Sequence, residues 1–392
     1  MKRAAWGLYG MVVSAVVLAA AASALLASPP SFQGLGFLPG GQPNSQACGV
    51  SADGSVVVGA CVDTPWHWEP SRWTAAEGMR GLGHIHGVSN QSNAAYGTSA
   101  DGSVVVGCDW NEAFRWTLDG GMQGLGFLGD WPYPQSSALA VSADGSVIVG
   151  QSTSSAGSGG APQAVRWTVA GIQCLGSLPG GQFYPSEGSK ALAVSPDGAF
   201  IAGCSSSSEF YGRAAVLWTA AGIQMLGDLP GGDYPHAWAT GVSADGSVVV
   251  GTGSRGDAYT GREAFRWTEE TGMQGLGTGG LSESFATGVS GDGSTVVGYT
   301  FRQYAGIVAC LWDASGRLRF VDDVLRDDYG LDLGGWELRA ATAISPDGRA
   351  IVGYGKNPLG QEEAWIAVIP EPTTLSLLVL GGLAMLRRRG RK

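Results

Sequence analysis

The side chains of this sequence that could do chemistry are acids and histidines that stand outside any recurring pattern. A suitably spaced carboxylate pair is enough for glycoside hydrolysis, and acids are scattered through the variable segments: Asp63, Glu69, Asp109, Glu112, Asp130, Glu187, Asp233 and Glu263. Spacing singles out no pair among them. His84 and His86 flank Ile85 and could ligate a metal from one strand face, but two isolated histidines are interpreted as incidental. Without a G-x-S-x-G or H-E-x-x-H motif, the sequence indicates no catalytic residue, no metal site and no cofactor.

The six cysteines offer one possible cross-link. They fall at unlike positions of the repeat described below, so they form no disulfide framework. Cys48 and Cys61 flank the pair Asp53-Gly54. If the chain turns back there, Cys48 opposes Gly59 and Cys61 is its diagonal neighbour on the same face. A bond between them is geometrically possible, and the sequence leaves its formation open.

One short string, Ala-x-small-Val-Ser-x-Asp-Gly, recurs seven times between the two ends of the chain. The steps between successive units range from 43 to 55 residues, with serines Ser51, Ser99, Ser142, Ser195, Ser243, Ser290 and Ser345. The alanine four residues before each serine is present every time. A period of this size with insertions is typical of a propeller blade and excludes a solenoid of short coils.

Each unit contains four strand signals, which together predict an all-β fold. The first is the alanine-to-serine segment, and Asp-Gly follows as a two-residue turn. The second is a β-branched run that ends at a glycine, the third is of the Arg-Trp-Thr type, and the fourth is of the Gly-Met-Gln-Gly type. Alanines and glycines at fixed positions predict a crowded innermost strand or closely packed blades, and the repeated tryptophans predict a core between blades. Each Ser and Asp is expected to bond backbone amides of its turn and not to bind calcium.

The phase of the repeat predicts how the fold closes. The body begins with a lone fourth-type strand at 34–38 and ends with a third-type strand at 364–368. Pairing the two ends completes the last blade and removes its open edges. We therefore predict a seven-bladed β-propeller of four-stranded blades, closed by its N- and C-terminal strands. The alternative is an open β-repeat array or a β-helix.

Both ends of the chain look like processing signals. Residues 1–28 combine a short basic region, an apolar run and the small-residue site Ala22-Ser23-Ala24, which is typical of a secretory signal peptide, although an uncleaved anchor is the alternative. At the other end, residues 370–392 contain Pro370, Glu371 and Pro372, an apolar run of 14 residues and a basic terminus. That run covers about 21 Å as a helix, short of a ~30 Å hydrocarbon core, so it predicts transient membrane association. A plain tail anchor is the alternative.

These features resemble two known families. The tail resembles the PEP-CTERM sorting signal of exported bacterial proteins, and this resemblance implies processing by an exosortase-type enzyme at Pro370-Glu371-Pro372. The body, residues 29–369, resembles HAF-repeat proteins, judged by the Leu-Gly-x-Leu-Pro-Gly-Gly segments and the Val-Ser-x-Asp-Gly and Arg-Trp-Thr motifs. This resemblance implies that the chain is an exported repeat protein. The family has no established catalytic residue that could be assigned to this sequence.

The net charge of the body excludes some classes of binding partner. Residues 29–369 contain 16 basic and 32 acidic residues, a net charge near -16. Phosphate backbones and anionic lipids repel such a surface, so we expect no nucleic-acid partner and no stable membrane contact of the body.

Aromatic side chains outside the repeat are the predicted binding residues. In a four-stranded antiparallel blade, the connections after strands two and four emerge on one face, which is where repeat proteins commonly bind ligands. The predicted residues are Trp66, Trp68, Trp110, Trp131, Tyr133, Tyr184, Tyr211, Tyr234, Trp238 and Tyr259. Aromatic rings beside acids and amides suit sugars, so the sequence predicts an exported, non-catalytic module of the cell envelope or extracellular matrix that binds exopolysaccharide or a surface protein. The alternatives are a hydrolase or lyase of extracellular polysaccharide, and rings that merely pack the loops onto the blades.

Overall fold

The computed structural model describes residues 29–64, 67–85, 93–129, 132–154, 160–179, 188–207, 212–231, 236–255, 261–302 and 306–369. Residues Phe32–Ala367 form one compact unit. The predicted segments 1–28 and 370–392, with Pro370, Glu371 and Pro372, lie outside the described residues. Within the described ranges, no helix is long and apolar enough to cross a membrane.

Seven antiparallel four-stranded sheets form the blades of a β-propeller, which confirms the predicted fold class. The innermost strands are β2 (Ser45–Val50), β6 (Ala94–Thr98), β10 (Ser136–Val141), β14 (Ser189–Val194), β18 (Trp238–Val242), β22 (Ser284–Val289) and β26 (Glu337–Ile344). The second strands are β3 (Val56–Thr64), β7 (Val104–Asp109), β11 (Ile148–Thr153), β15 (Ile201–Ser206), β19 (Val249–Ser254), β23 (Val296–Arg302) and β27 (Ala350–Lys356). The third strands are β4 (His67–Thr74), β8 (Glu112–Thr117), β12 (Pro162–Thr168), β16 (Arg213–Thr219), β20 (Arg262–Thr268), β24 (Gly306–Trp312) and β28 (Glu362–Val368). The outermost strands are β5 (Gly78–Gly81), β9 (Gly121–Gly124), β13 (Gly171–Cys174), β17 (Gly222–Met225), β21 (Gly272–Gly275), β25 (Leu318–Phe320) and β1 (Ser31–Gly34).

The ring closes through the two ends of the described chain. Strand β1 pairs with β28 and becomes the outermost strand of blade 7, beside β27 and β26. The closing strand is Ser31–Gly34, three residues before the predicted 34–38, because each outermost strand ends where the Leu-Gly segment turns away. Ser45 reinforces the closure: its Oγ accepts from the amide of Ala364 at 3.0 Å and donates to the carbonyl of Gly36 at 2.8 Å.

Each recurring alanine lies directly opposite a recurring glycine, as Ala47 does opposite Gly59. The glycine is required by space. A Cβ on Gly59 would lie 1.9 Å from the carbonyl oxygen of Gln46, and the other six glycines meet a backbone oxygen of the innermost strand at 1.9 to 2.1 Å. The predicted end of the second strand at this glycine is wrong, since β3 continues to Thr64. A glycine that allows close backbone approach does not interrupt strand pairing.

The repeated tryptophans pack between blades, as predicted. Trp167 of blade 3 lies in one buried cluster with Val104, Val106 and Ala113 of blade 2, and Trp312 of blade 6 lies in a similar cluster with residues of blade 5. Among the described residues, a short helix, α1 (Val321–Asp323), and a π-helical turn at Val324–Asp328 follow the outermost strand of blade 6.

Candidate functional site

The connections of the propeller lie on two faces. The turns after the first strand of each blade, and after the third strand of blades 1 to 6, lie on one face, which we call the turn face. The connections after the second and fourth strands lie on the other, which we call the loop face. This follows from the antiparallel order of each sheet and agrees with the sequence prediction.

On the turn face, the recurring Ser and Asp bond to each other and to backbone amides of the same turn. Ser99 Oγ donates to Asp101 Oδ1 at 2.7 Å and accepts from the amide of Val104 at 2.9 Å. Asp101 Oδ1 also accepts from the amide of Ser103 at 3.0 Å. All seven turns have this network. The structural interpretation of these residues is therefore confirmed.

The network also favours the ionised aspartate. The hydrogen bond from the Ser99 hydroxyl, with those from Ser103, lowers the pKa of Asp101 to about 2. The same contacts lower the pKa of Asp144 and of Asp245 to about 2. These carboxylates therefore stabilise their own turns through hydrogen bonds.

The turn itself differs from the predicted two-residue Asp-Gly type. In blade 1 the amide of Ser51 bonds to the carbonyl of Val56, and the amide of Gly54 bonds to the carbonyl of Ser51. Only Gly54 has a positive φ, at 73°, while Asp53 does not. The hydroxyl of Ser51 accepts from the amide of Val56 in place of a backbone carbonyl. The turn therefore needs only one left-handed residue.

Backbone hydrogen bonds join neighbouring turns on this face into a belt. The amide after the serine in one blade donates to the equivalent carbonyl of the next, from Ala52 to Ala100 to Ala143 to Pro196. A second run joins Ala244 to Gly291 to Pro346. The belt is interrupted after Pro196 and after Pro346, because proline has no amide hydrogen.

Every innermost strand has a β-bulge at the residue after its alanine. The bulged residues of all seven blades line an axial cavity of about 250 Å³: Cys48, Tyr96, Leu139, Leu192, Thr240, Thr287 and Thr342. The bulged residue is the most variable position of the repeated string, and in every blade it lines the axial cavity. Sequence analysis missed this role because a bulge in an otherwise regular strand has no distinct sequence pattern.

The two sides of the axial cavity are chemically different. The hydroxyls of Thr240, Thr287 and Thr342 donate to the carbonyls of Ala286, Ala341 and Ala47 of the next blades, at 2.7 to 2.8 Å. Blades 1 to 4 instead present Cys48, Tyr96, Leu139 and Leu192. Burial, with a smaller contribution from Cys61, raises the pKa of the Cys48 thiol to about 12, which disfavours the thiolate form at neutral pH.

Cys48 and Cys61 are not joined, so the possible disulfide is not formed. The bulge changes the register on which that pairing rested. Ala47, and not Cys48, lies opposite Gly59, and Cys61 lies opposite Ser45. Cys48 is directed toward the axial cavity instead.

Four of the ten predicted binding aromatics are described, and they differ in exposure. Tyr133 is 79% exposed, and Trp110, between the second and third strands of blade 2, is 46% exposed. Trp68 is half-buried on β4. Trp238 begins β18, where the Arg262 guanidinium lies 5.4 Å from its ring and the His236 ring packs edge-on against it. The other predicted residues lie outside the described ranges: Trp66, Trp131, Tyr184, Tyr211, Tyr234 and Tyr259.

Trp110 has an unusual backbone conformation. Its φ is 58°, a positive value that no other non-glycine residue has within the described ranges. The side-chain oxygen of the buried Asn93 accepts from its amide at 2.6 Å and helps to hold the turn. Left-handed backbone costs an ordinary residue about 1–2 kcal/mol. An exposed tryptophan held in this strained turn is a typical feature of a binding residue.

Three loop-face acids that were candidates for hydrolysis, Glu69, Glu112 and Glu263, share the same structural contact. Glu69 Oε1 accepts from the amide of Gly83 at 3.0 Å, directly after the outermost strand. Glu112, Glu263 and Glu363 bind the amides of Gly126, Gly277 and Gly36 in their own blades. The glutamates recur because they pin the end of the outermost strand.

A signal for this role is present in the repeats. Where the third strand carries the glutamate, the outermost strand ends in glycine: Gly81, Gly124, Gly275 and Gly34. A Cβ on Gly81 would lie 2.0 Å from Glu69 Oε1. Blades without the glutamate end this strand in larger residues, namely Cys174, Met225 and Phe320. Comparing the seven units position by position would have revealed this covariation.

In blade 1, the loop face brings together Asp63, Glu69 and His84. One potential ligand atom from each lies within 4.8 Å of the other two. Asp109 of blade 2, which is 1% exposed, lies behind the histidine: its Oδ1 is 2.9 Å from His84 Nδ1, and its Oδ2 accepts from the amide of Ile85 at 2.6 Å. Asp63 and Glu69 also border a cavity of about 340 Å³ beneath the Leu38–Gly41 segment.

Comparisons with known proteins support the fold and no closer relationship. No family model matches the chain, and no curated protein matches it. An oligogalacturonate lyase solved in complex with manganese is 13% identical, with a TM-score of 0.53 over 88% of this chain and 97% of the lyase. A TolB protein from Agrobacterium tumefaciens is 15% identical, with a TM-score of 0.44 over 74% of this chain and 94% of its own. The propeller domain of the Trilobed protease from Pyrococcus furiosus is 9% identical, with a TM-score of 0.48 over 86% and 95%. At these identities the likeness shows a propeller fold alone.

Proposed function

We propose that this chain is an exported, non-catalytic propeller whose loop face binds extracellular polysaccharide. The observation that carries the proposal is the contrast between two sets of aromatic rings. The tryptophans repeated on the third strands pack between blades, whereas Trp110 and Tyr133 on the loop face are 46% and 79% exposed. Exposed rings beside polar side chains can stack on sugar rings, which combine an apolar face with hydroxyl groups.

A glycan array probed with the purified chain tests binding, and an assay of released reducing ends tests cleavage. Binding without release supports the proposal. Release of reducing ends would favour the hydrolase alternative, and a lyase would also create an absorbing double bond. No binding to any glycan would overturn the proposal and favour a protein partner.

Matched variants then locate the site. Trp110→Ala and Tyr133→Ala should each weaken glycan binding, by about 1–3 kcal/mol per lost stacking contact if sugars stack as bases do on aromatic rings. Leu118→Ala and Val169→Ala are the controls, because these side chains are at least 76% exposed but belong to turns on the turn face. Equal losses in both pairs would show that the loop face is not the binding surface.

The export part of the proposal rests on the two terminal segments. Residues 1–28 would direct secretion, and residues 370–392 would be processed by an exosortase-type enzyme, as their resemblance to a PEP-CTERM signal implies. Replacement of Pro370, Glu371 and Pro372 by alanine should leave the chain in the membrane fraction, while the unchanged chain is recovered from the envelope or the extracellular matrix. Recovery of the unchanged chain from the cytoplasm would contradict export.

A further inference from the structure

We propose that the loop end of blade 1 binds one divalent transition-metal ion through Asp63, Glu69 and His84. Their ligand atoms lie within 4.8 Å of one another. Metal bonds to carboxylate oxygen and imidazole nitrogen are about 2.0–2.2 Å long, so ligand atoms around a tetrahedral ion are about 3.3–3.6 Å apart. A side-chain movement of up to about 1.5 Å therefore completes the set. This inference does not depend on glycan binding.

The strand pairing of blade 1 brings the two acids together. Asp63 lies near the end of β3 and Glu69 near the start of β4, and these strands pair up to Thr64 and His67. Each carboxylate uses one oxygen for a backbone amide: Asp63 Oδ1 accepts from Thr64 at 2.6 Å, and Glu69 Oε1 accepts from Gly83 at 3.0 Å. The second oxygen of each carboxylate can therefore bind an ion.

The buried Asp109 is an independent indication of a ligand. Its contact with Nδ1 of His84 fixes the ring and leaves Nε2 as the nitrogen that can bind an ion. A carboxylate behind a histidine is the common outer partner of metal-bound imidazole, because it sets the tautomer and raises the basicity of the ligand.

Comparison of the blades shows that this contact is additional to the usual structure. In blades 3 and 4, Ser152 and Ser205 occupy the position of Asp109, and their hydroxyls accept from the amides of Leu128 and Leu178. Asp109 performs the same task with Oδ2, through the amide of Ile85. The second carboxylate oxygen of Asp109, Oδ1, has no counterpart in these serines, and it contacts Nδ1 of His84. The other blades have Cys61, Gly253, Thr300 and Gly355 at this position.

The histidine is equally particular to blade 1. It fills the variable position of the Leu-Gly-x segment, where five of the other six blades have Phe37, Phe127, Ser177, Asp228 and Thr278, and blade 6 has no such segment. Blade 2 has a glutamate in the same contact as Glu69, with Glu112 Oε1 at 3.1 Å from the amide of Gly126, but Phe127 replaces the histidine. Glu112 is therefore a matched control for Glu69.

The donor set indicates the class of ion. Two carboxylate oxygens and one imidazole nitrogen suit Zn²⁺ or Mn²⁺ better than Mg²⁺ or Ca²⁺, which prefer oxygen ligands alone. Three protein ligands leave at least one coordination position open. The adjoining cavity beneath Leu38–Gly41, of about 340 Å³, has room for water or for an oxygen atom of another molecule.

Titration of the purified, chelator-treated full-length chain with Zn²⁺ alone in a calorimeter tests the site. We expect one ion per chain, and at least a tenfold loss of affinity in Asp63→Asn and in His84→Asn. Both variants preserve local contacts, because asparagine can still accept from Thr64 at position 63 and donate to Asp109 at position 84. Glu112→Gln should bind zinc as the unchanged chain does, and Asp109→Asn should weaken binding about 10–100-fold.

Two outcomes would overturn the proposal. One is that the unchanged chain binds no zinc at one-to-one stoichiometry. The other is that Asp63→Asn and His84→Asn bind zinc as tightly as the Glu112→Gln control. A second measurement does not require a binding constant. Zinc should raise the thermal unfolding midpoint of the unchanged chain, and it should not raise that of the Asp63→Asn, His84→Asn double variant.

Discussion

The turn face and the loop face are built from the same seven repeats, yet they use their polar residues differently. On the turn face, all seven Ser and Asp pairs bond to each other and to their own turns. On the loop face, the recurring glutamate binds one backbone amide, and in blade 1 Asp63 and His84 bring a ligand atom within 4.8 Å of Glu69. Recurrence therefore indicates structure in this protein, and departure from recurrence indicates where chemistry is possible.

Aromatic residues show the same division. The tryptophan repeated on the third strands is packed between blades, as Trp167 and Trp312 are. Trp110 occurs once, is exposed, and lies on a strained turn of the loop face.

The comparison between the two faces assumes a closed ring in which the seven blades are equivalent. Opening the ring should therefore have the largest effect on the stability of the propeller. Deletion of Ser31–Gly34 removes the outermost strand of blade 7 and its pairing with β28. It should lower the thermal unfolding midpoint of the whole propeller or abolish cooperative unfolding. Gln33→Ala, which changes one exposed side chain and keeps the strand, is the control. An unchanged midpoint after the deletion would favour an open array.

Gly102→Ala tests the packing of the turn face. Gly102 has a φ of 71°, and an added Cβ would lie 2.3 Å from Val56 Cγ2 of the preceding blade. We expect a loss of about 2–5 kcal/mol in the free energy of unfolding, the sum of left-handed strain and overpacking. Gly121→Ala, in the same blade at a φ of 62° with open space around it, should cost about 1–2 kcal/mol. Equal costs in urea unfolding would show that contact between turns is unimportant.

Ser99→Ala tests the hydrogen bonds of the same turn and predicts a pH dependence. At pH 7 the loss of the hydroxyl leaves the amide of Val104 unpaired, at a cost of about 1–3 kcal/mol. The Ser99 hydroxyl also helps to lower the folded-state pKa of Asp101 to about 2, below the unfolded value of about 3.9. This part of the stability is present above pH 4 and is lost as the pH falls from about 4 to about 2.

The stability difference between Ser99→Ala and the unchanged chain should therefore shrink over that pH interval. Urea unfolding at pH 7, 4 and 2.5 measures it. Ser103→Ala, which removes an exposed hydroxyl that donates to the same carboxylate, should have a smaller effect at pH 7. A difference that stays constant with pH would show that Asp101 does not contribute through its charge.

Trp110→Gly is the counterpart on the loop face and has the smallest expected effect on stability. Glycine relieves the left-handed strain but removes a partly buried ring, so the free energy of unfolding should change by no more than about 1 kcal/mol. Trp110→Gly should nevertheless weaken glycan binding, because the exposed ring is lost. Gly121→Ala should leave glycan binding unchanged. A loss of stability as large as that of Gly102→Ala would identify Trp110 as a structural residue.

Sequence reasoning predicted the propeller because its dominant signals are local and repeated. The alternation of strand segments and turn residues is set within about ten residues, and seven copies of it reinforce one interpretation. The missing outermost strand at the end of the chain predicted ring closure, although the closing strand is Ser31–Gly34 and not 34–38. Errors arose where a side chain or the neighbouring backbone changed local geometry, as at the turn held by Ser51 and at Gly59.

The sequence by itself determined the fold class, the division into two faces and the identity of the recurring core, because these follow from short-range periodicity. Only the tertiary structure decided which side chains meet. Asp63, Glu69 and His84 come from a second strand, a third strand and a connection between blades, and Asp109 comes from the next blade. Their approach depends on strand pairing, on the amide of Gly83 bound to Glu69 and on the packing of two blades. The bulge that directs Cys48 and its six equivalents to the axis is likewise a property of paired strands, which no spacing along one strand specifies.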